Sequence, residues 1–83
     1  MTDKVYYVYI LQCNDDTLYT GYTTDIEHRV DIHNKGLGAK YTRGRLPVIL
    51  RYVEMYHTKS EALKREYAIK QLSKVEKKAL MEG

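Results

Sequence analysis

Apolar and polar positions divide the chain into three strand-like and three helix-like runs. Val5-Tyr6-Tyr7-Val8-Tyr9-Ile10-Leu11 is β-branched and aromatic with no polar interruption, which predicts a strand covered on both faces. Asn14-Asp15-Asp16 is turn chemistry, and Thr17 to Tyr22 resumes strand character, so the pair predicts a hairpin. Pro47 opens a third run of this kind, Val48 to Tyr56. Three other segments begin with Ser or Thr followed three residues later by Glu: Thr24…Glu27, Thr58…Glu61 and Ser73…Glu76. That is the spacing of a capping box, in which hydroxyl and carboxylate satisfy each other's backbone amides. It predicts helices near 25–34, 59–72 and 74–82. The stretch 34–45 holds Gly36, Gly38 and Gly44 among basic side chains and reads as a long, mobile connection. The order β-β-α-β-α-α predicts an α+β fold: a small, three-stranded, mainly antiparallel sheet flanked by three helices.

The hairpin register decides which side chains meet. A three-residue loop pairs Cys13 with Thr17, which sets Leu11 opposite Tyr19 and Tyr9 opposite Gly21. Tyr9 and Tyr19 then share a face, with open space at Gly21. A four-residue loop sends the two rings to opposite faces, because a one-residue slip inverts every side chain. The sequence leaves both registers open.

At 83 residues the chain is expected to be a single domain, 1–83, with a thin core and no room for a large cofactor cavity. Charged residues are 30% and the net charge is +3, with the acidic groups early and the basic groups in the middle and at the end. That distribution suits a polyanion. A lone Cys13 allows neither an internal disulfide nor a cysteine metal cluster, and suggests a reduced, cytoplasmic setting. The run 5–11 is too short to span a bilayer, so no membrane association is expected. The aromatic set is unusual: nine Tyr, no Phe and no Trp. Each Tyr adds a hydroxyl to its ring, which suggests polar work for some of them.

Three positions break the ordinary pattern. Glu66 falls within the apolar stripe Ala62, Leu63, Tyr67 and Ile69, where a carboxylate needs a cation, a metal or hydrogen bonds. Arg29 and His33 stand one turn apart on the flank of the stripe defined by Ile26 and Val30. The plainer readings are an ion pair for Glu66 and edge residues for Arg29 and His33. Together, phenols, Arg, His and one inward carboxylate form a set suited to phosphodiester hydrolysis. That reaction needs a base for water, a cation for phosphate and a metal at the leaving oxygen. One carboxylate can hold Mg²⁺ when waters and phosphate oxygens complete the octahedron.

These residues carry a resemblance. Tyr7-Val8-Tyr9 and Tyr19-Thr20-Gly21, the helix residues Arg29, His33 and Asn34, the loop Gly38-Ala39-Lys40-Tyr41-Thr42-Arg43 and Glu66 follow the order of a GIY-YIG domain. This is the small nuclease module of homing endonucleases, excision-repair subunits and branched-DNA nucleases, and the chain is most similar to the short stand-alone bacterial members. The resemblance implies a metal-dependent endonuclease acting on DNA, including branched or damaged DNA, with a role in DNA repair. Tyr9 or Tyr19 would take the proton of the attacking water with help from His33, and Arg29 would bind the scissile phosphate. Glu66 would hold one Mg²⁺ or Mn²⁺. Lys35, Lys40, Tyr41, Arg43 and Arg45 of the basic loop would contact the nucleic acid. The chain departs from the family pattern at Tyr7, where Gly is usual, and in 73–78, where an Asn has no counterpart. No separate targeting domain is expected, so a protein partner would supply targeting. The alternative is a catalytically weak nucleic-acid-binding module or partner-dependent subunit with the same fold.

Overall fold

The uninterrupted apolar run becomes the middle of the sheet. In the computed structural model, which describes residues 4–83, β1 (Tyr6–Gln12) lies between β2 (Leu18–Thr23) and β3 (Ile49–Tyr56), both antiparallel to it. Val8, Tyr9, Ile10 and Leu11 are all buried because both faces of β1 are covered. Among the described residues four helices complete the α+β fold: α1 (Ile26–Asn34), α2 (Lys40–Arg43), α3 (Lys59–Lys70) and α4 (Lys74–Glu82).

The hairpin has the three-residue loop. Cys13 N–H donates to Thr17 C=O at 2.8 Å, and Leu11 pairs with Tyr19 and Tyr9 with Gly21. Asp16 takes the left-handed conformation (φ 68°) that this loop needs, and Asp tolerates it better than most side chains. Arg45 ties the loop down by pairing with Asp15 at 2.9 Å.

Register sorts the side chains into two cores. Val8 and Ile10 pack on one face with Ala62 and Ile69 of α3, joined by Tyr6, Tyr22, Tyr52, Tyr56, Leu72, Leu80 and Met81. Tyr9, Leu11, Cys13 and Val48 pack on the other with Tyr19, Ile26, Val30 and Leu46. Asn34 fastens the end of α1 to the start of β3 by accepting from Val48 N–H at 2.7 Å and donating to its C=O at 3.2 Å.

Several expectations need correction. The cap of α1 is Asp25, whose carboxylate accepts from His28 N–H at 3.1 Å, and not Thr24. A carboxylate one residue nearer the helix displaces the hydroxyl. Thr58 caps α3 as expected, but Glu61 returns to the Thr58 hydroxyl rather than to its amide. Only Ser73 and Glu76 form a complete capping box. The stretch 34–45 is not simply a loop. After Gly36 (φ 77°) closes α1, residues 40–43 form one helical turn. Leu63 and Tyr67 of α3 are 41% and 69% exposed, so its inner stripe is Ala62, Glu66 and Ile69. On α4, Leu80 and Met81 face the core, while Val75 is 77% exposed.

Tyr52 and Tyr56 keep their packing role but also donate their hydroxyls to Glu54 on the strand between them. Arg65 grips the same carboxylate through Nε at 2.8 Å and Nη2 at 3.0 Å. Burial pushes the Glu54 carboxyl up, but the Arg65 fork and the two phenols outweigh it and lower it from 4.5 to about 2. A depressed carboxylate stabilises the fold fully above its unfolded value and loses that contribution as pH falls through 4.5 towards 2. The shift bounds the effect at about 3 kcal/mol, and the exposure of Arg65 reduces it to about 2. Urea midpoints measured from pH 6 to pH 2 should show this loss, and Glu54→Gln should flatten that part of the curve.

Candidate functional site

Tyr9 and Tyr19 reach one spot because the register puts them on one face and Gly21 makes room. A Cβ at Gly21 would stand 2.4 Å from the Tyr9 hydroxyl, so the phenol lies across the glycine backbone. Above this face α1 delivers Arg29 and His33 one turn apart. His33 is not an edge residue: it is fully buried, with its ring edge-on to Tyr19 at 5.3 Å between centroids and to Tyr9 at 6.1 Å.

A chain of hydrogen bonds joins these groups. The Tyr9 hydroxyl lies 3.1 Å from His33 Nε2, and Arg29 Nε donates to the same oxygen at 3.4 Å. His33 Nδ1 lies 2.9 Å from Thr42 Oγ1, which in turn lies 2.9 Å from Ala39 C=O. The direction follows from donor chemistry. A carbonyl only accepts, so the Thr42 proton goes to Ala39 and Nδ1–H donates to Thr42. Nε2 of the neutral ring is therefore an acceptor, and the Tyr9 O–H donates to it. Burial first, and the Arg29 charge second, push the His33 pKa below its ordinary value, which keeps the ring neutral at pH 7. Burial pushes the Tyr9 phenol above 10, opposed by its contact with Arg29, so Tyr9 is protonated at rest.

Gly38 completes the seat of the imidazole. A Cβ there would meet His33 Nδ1 at 2.4 Å, so only glycine lets this backbone pass against the ring. Gly38 and Thr42 both come from the segment read as a mobile connection. Its glycines were visible in the sequence, but no spacing tied Thr42 to His33 across nine residues. Thr42→Val should remove the acceptor for Nδ1–H, destabilise the protein by about 1–2 kcal/mol, and change the imidazole ¹⁵N shifts that report the tautomer. Thr42→Ser should restore both.

Glu66 approaches from α3. It sits between buried Ala62 and Ile69 on the helix face, its side chain is 18% exposed, and it pairs with Lys70 at 3.1 Å. That ion pair is the plainer arrangement expected for an inward carboxylate. Glu66 is also close enough for its charge to raise the Tyr9 pKa slightly. No cluster of three metal-ligating side chains occurs among the described residues. A half-buried single carboxylate suits a hard cation that keeps waters and takes phosphate oxygens, and does not suit a closed protein cage.

The basic-loop residues divide. Arg45 lies over the Tyr41 ring at 4.2 Å, and Tyr41 stacks with Tyr19 at 5.9 Å, so both adjoin the phenol cluster. Lys35 pairs with Asp31 at 2.8 Å, and Lys40 and Arg43 are exposed on α2, without a described contact to the cluster. Lys77, which no sequence motif marks, lines a hollow at the β2 edge together with Tyr19 and Tyr41. No helix among the described residues is long and apolar enough to cross a membrane.

Known proteins show the same arrangement of sequence. A UPF0213 protein of Halobacterium salinarum is 59% identical over 76 residues, covering 92% of this chain and 99% of that one. One from Oceanobacillus iheyensis is 55% identical over 80 residues, covering 96% and 93%. The solution structure of a UPF0213 protein from Bacillus halodurans superposes with a TM-score of 0.61 at 47% identity, covering 94% of this chain and 83% of that one. A protein from E. faecalis gives 0.65 at 44%, covering 95% and 84%. The GIY-YIG catalytic domain matches residues 5–79, a span that holds both tyrosines, the α1 pair and Glu66. With that match across the whole sheet and the site it carries, the chain belongs to the GIY-YIG family of nuclease domains.

Proposed function

We propose that this domain is a metal-dependent endonuclease that hydrolyses DNA phosphodiester bonds, with branched or damaged DNA as its natural substrate. The observation that carries the reading is the Tyr9 hydroxyl, held between the Arg29 guanidinium and an imidazole whose free nitrogen can only accept.

That geometry favours Tyr9 over Tyr19 as the group that takes the water proton. As the water oxygen forms its bond to phosphorus, its proton moves to the Tyr9 oxygen while the Tyr9 proton moves to His33 Nε2. The P–O bond to the leaving strand breaks in the same displacement. The proton ends on His33, whose Nδ1–H stays bonded to Thr42. A phenol with a raised pKa is a poor base alone, but here it acts as a relay and need not ionise in the resting state. Arg29 holds the phosphate and offsets charge on the Tyr9 oxygen. Glu66 would hold Mg²⁺ or Mn²⁺, which when bound offsets charge developing on the phosphate and leaving oxygens.

Purified protein should nick DNA only with Mg²⁺ or Mn²⁺, in a panel of single-stranded, duplex, flap and junction substrates. Arg29→Ala should slow cleavage by about 10²–10³, as loss of an electrostatic donor does. Salt-sensitive binding to the whole panel without cleavage would overturn the enzyme reading and leave a binding module.

A further inference from the structure

α2 has little to hold it in place by itself. It is a single turn, its cap Ala39 offers no side-chain hydrogen bond, and one turn of helix is not stable alone. Yet it carries two residues that touch the phenol and imidazole cluster. Thr42 Oγ1 lies 2.9 Å from His33 Nδ1, and the Tyr41 ring stacks with Tyr19 at 5.9 Å between centroids. The turn therefore needs an outside anchor, since a misplacement of about 1 Å around a reacting group can cost about 10²-fold in rate.

Arg45 supplies that anchor twice over. Its backbone N–H donates to Thr42 C=O at 3.0 Å, and its C=O accepts from Asn14 N–H at 2.8 Å. Its side chain repeats the bridge. Nε donates to Asp15 Oδ2 at 2.9 Å in the β1–β2 loop, and Nη1 donates to Tyr41 C=O at 3.2 Å. The guanidinium also lies over the Tyr41 ring, 4.2 Å from its centroid. One residue thus joins the hairpin loop to both α2 residues that meet the cluster. A lysine could keep the ion pair, but not the fork and the flat stack together. The same contacts leave Arg45 poorly placed for phosphate. Its charge faces a carboxylate and its plane lies against a ring, whereas Lys40 and Arg43 of α2 stand exposed.

We propose that Arg45 is a positioning residue rather than a phosphate contact: it clamps α2 to the β1–β2 loop, and so holds Thr42 on His33 and Tyr41 on Tyr19. The effect of the clamp on rate rests on the nuclease reading; its effect on the rings does not.

Three variants of the whole protein test the clamp. Arg45→Gln and Arg45→Lys remove it, and Asp15→Asn loosens it from the loop side without touching α2. In NMR of the free protein all three should move the Tyr41 ring protons and shift the His33 ¹⁵N signals in the same direction as Thr42→Val, least in Asp15→Asn. In cleavage with metal, Arg45→Gln and Arg45→Lys should each lower kcat by about 10-fold or more with KM little changed. Anisotropy binding of labelled DNA without metal should show the same log–log salt slope for Arg45→Gln as for wild type. A phosphate contact would lower that slope by about 0.7–0.9. A slope lowered by that much overturns the positioning role, as does full rescue of the rate by Arg45→Lys. Unmoved Tyr41 and His33 signals in the variants also overturn it. If Arg45→Gln fails to fold, Asp15→Asn decides by the same signals, because a phosphate contact at Arg45 would give a loop carboxylate no influence on His33. If wild type cuts no DNA while the signals move as expected, the nuclease reading falls and the clamp stands.

Discussion

Glu66→Gln protein is expected to show no metal-dependent cleavage, a loss of about 10³-fold or more. The substitution keeps the size of the side chain and its place between Ala62 and Ile69, and removes only the charge. Charge stabilisation by a bound cation is worth several kcal/mol at the transition state, which converts to a rate loss of that order. Stability should barely move. The Glu66–Lys70 pair is one helical turn apart with Lys70 half-exposed, and such pairs contribute about 0.3–0.5 kcal/mol. The thermal midpoint should therefore stay within a few degrees of wild type, while calorimetric titration with Mn²⁺ in the presence of an uncleavable phosphorothioate strand should lose its signal. Residual nicking equal in wild type and variant would mark the activity as a contaminant.

Tyr9→Phe is expected to cost about 10²–10⁴ in rate, the usual worth of a positioned acid–base group. The ring still fills the space over Gly21, so packing survives. What disappears is the hydroxyl between Arg29 and His33, and His33 Nε2 is left as a buried acceptor without a donor. That should lower stability by about 1–2 kcal/mol. Tyr19→Phe should be milder, because Tyr19 meets His33 through its ring. The reverse ranking would move the base role to Tyr19. The pH profile supplies a second reading of the same relay. His33 must be neutral to accept the Tyr9 proton, and its pKa is depressed, so wild-type activity should hold at neutral pH and fall only as pH drops below the ordinary histidine value of 6.5. Tyr9 is pushed above 10, so its ionisation should not disturb the profile at neutral or mildly alkaline pH.

How much of this was legible in the chain depends on whether a feature is local. The three strands, the three longer helices and their order follow from runs of adjacent residues, and their bounds hold to within two residues at each end. The cap at Asp25 was missed because two possible caps stand side by side and only the backbone path chooses between them. The exposure of Leu63 and Tyr67 does not follow from the sequence, because periodicity defines a stripe but not how much of it a thin core can cover. The five residues Tyr9, Tyr19, Arg29, His33 and Glu66 could be singled out because each breaks a local pattern or fits a familiar motif. The contacts that seat them could not, since no spacing in the sequence ties Gly38 or Thr42 to His33.

The oddity of the tyrosines resolves along the same line. Tyr9, Tyr19 and Tyr41 form a connected row of rings beside His33, while Tyr52 and Tyr56 spend their hydroxyls on Glu54. Phe could fill the same space in that second pair but could not bond a half-buried carboxylate. The elements, their order, the basic character of the second half and the short list of reactive side chains can be read from the chain alone, because propensity, capping and charge act over a few neighbouring residues. The hairpin register and the tautomer of His33 emerge only once the chain is folded. The register rests on the Cys13–Thr17 pairing and the left-handed Asp16, where a slip of one residue would send Tyr19 to the opposite face, and the tautomer rests on Thr42, nine residues from His33 in the chain.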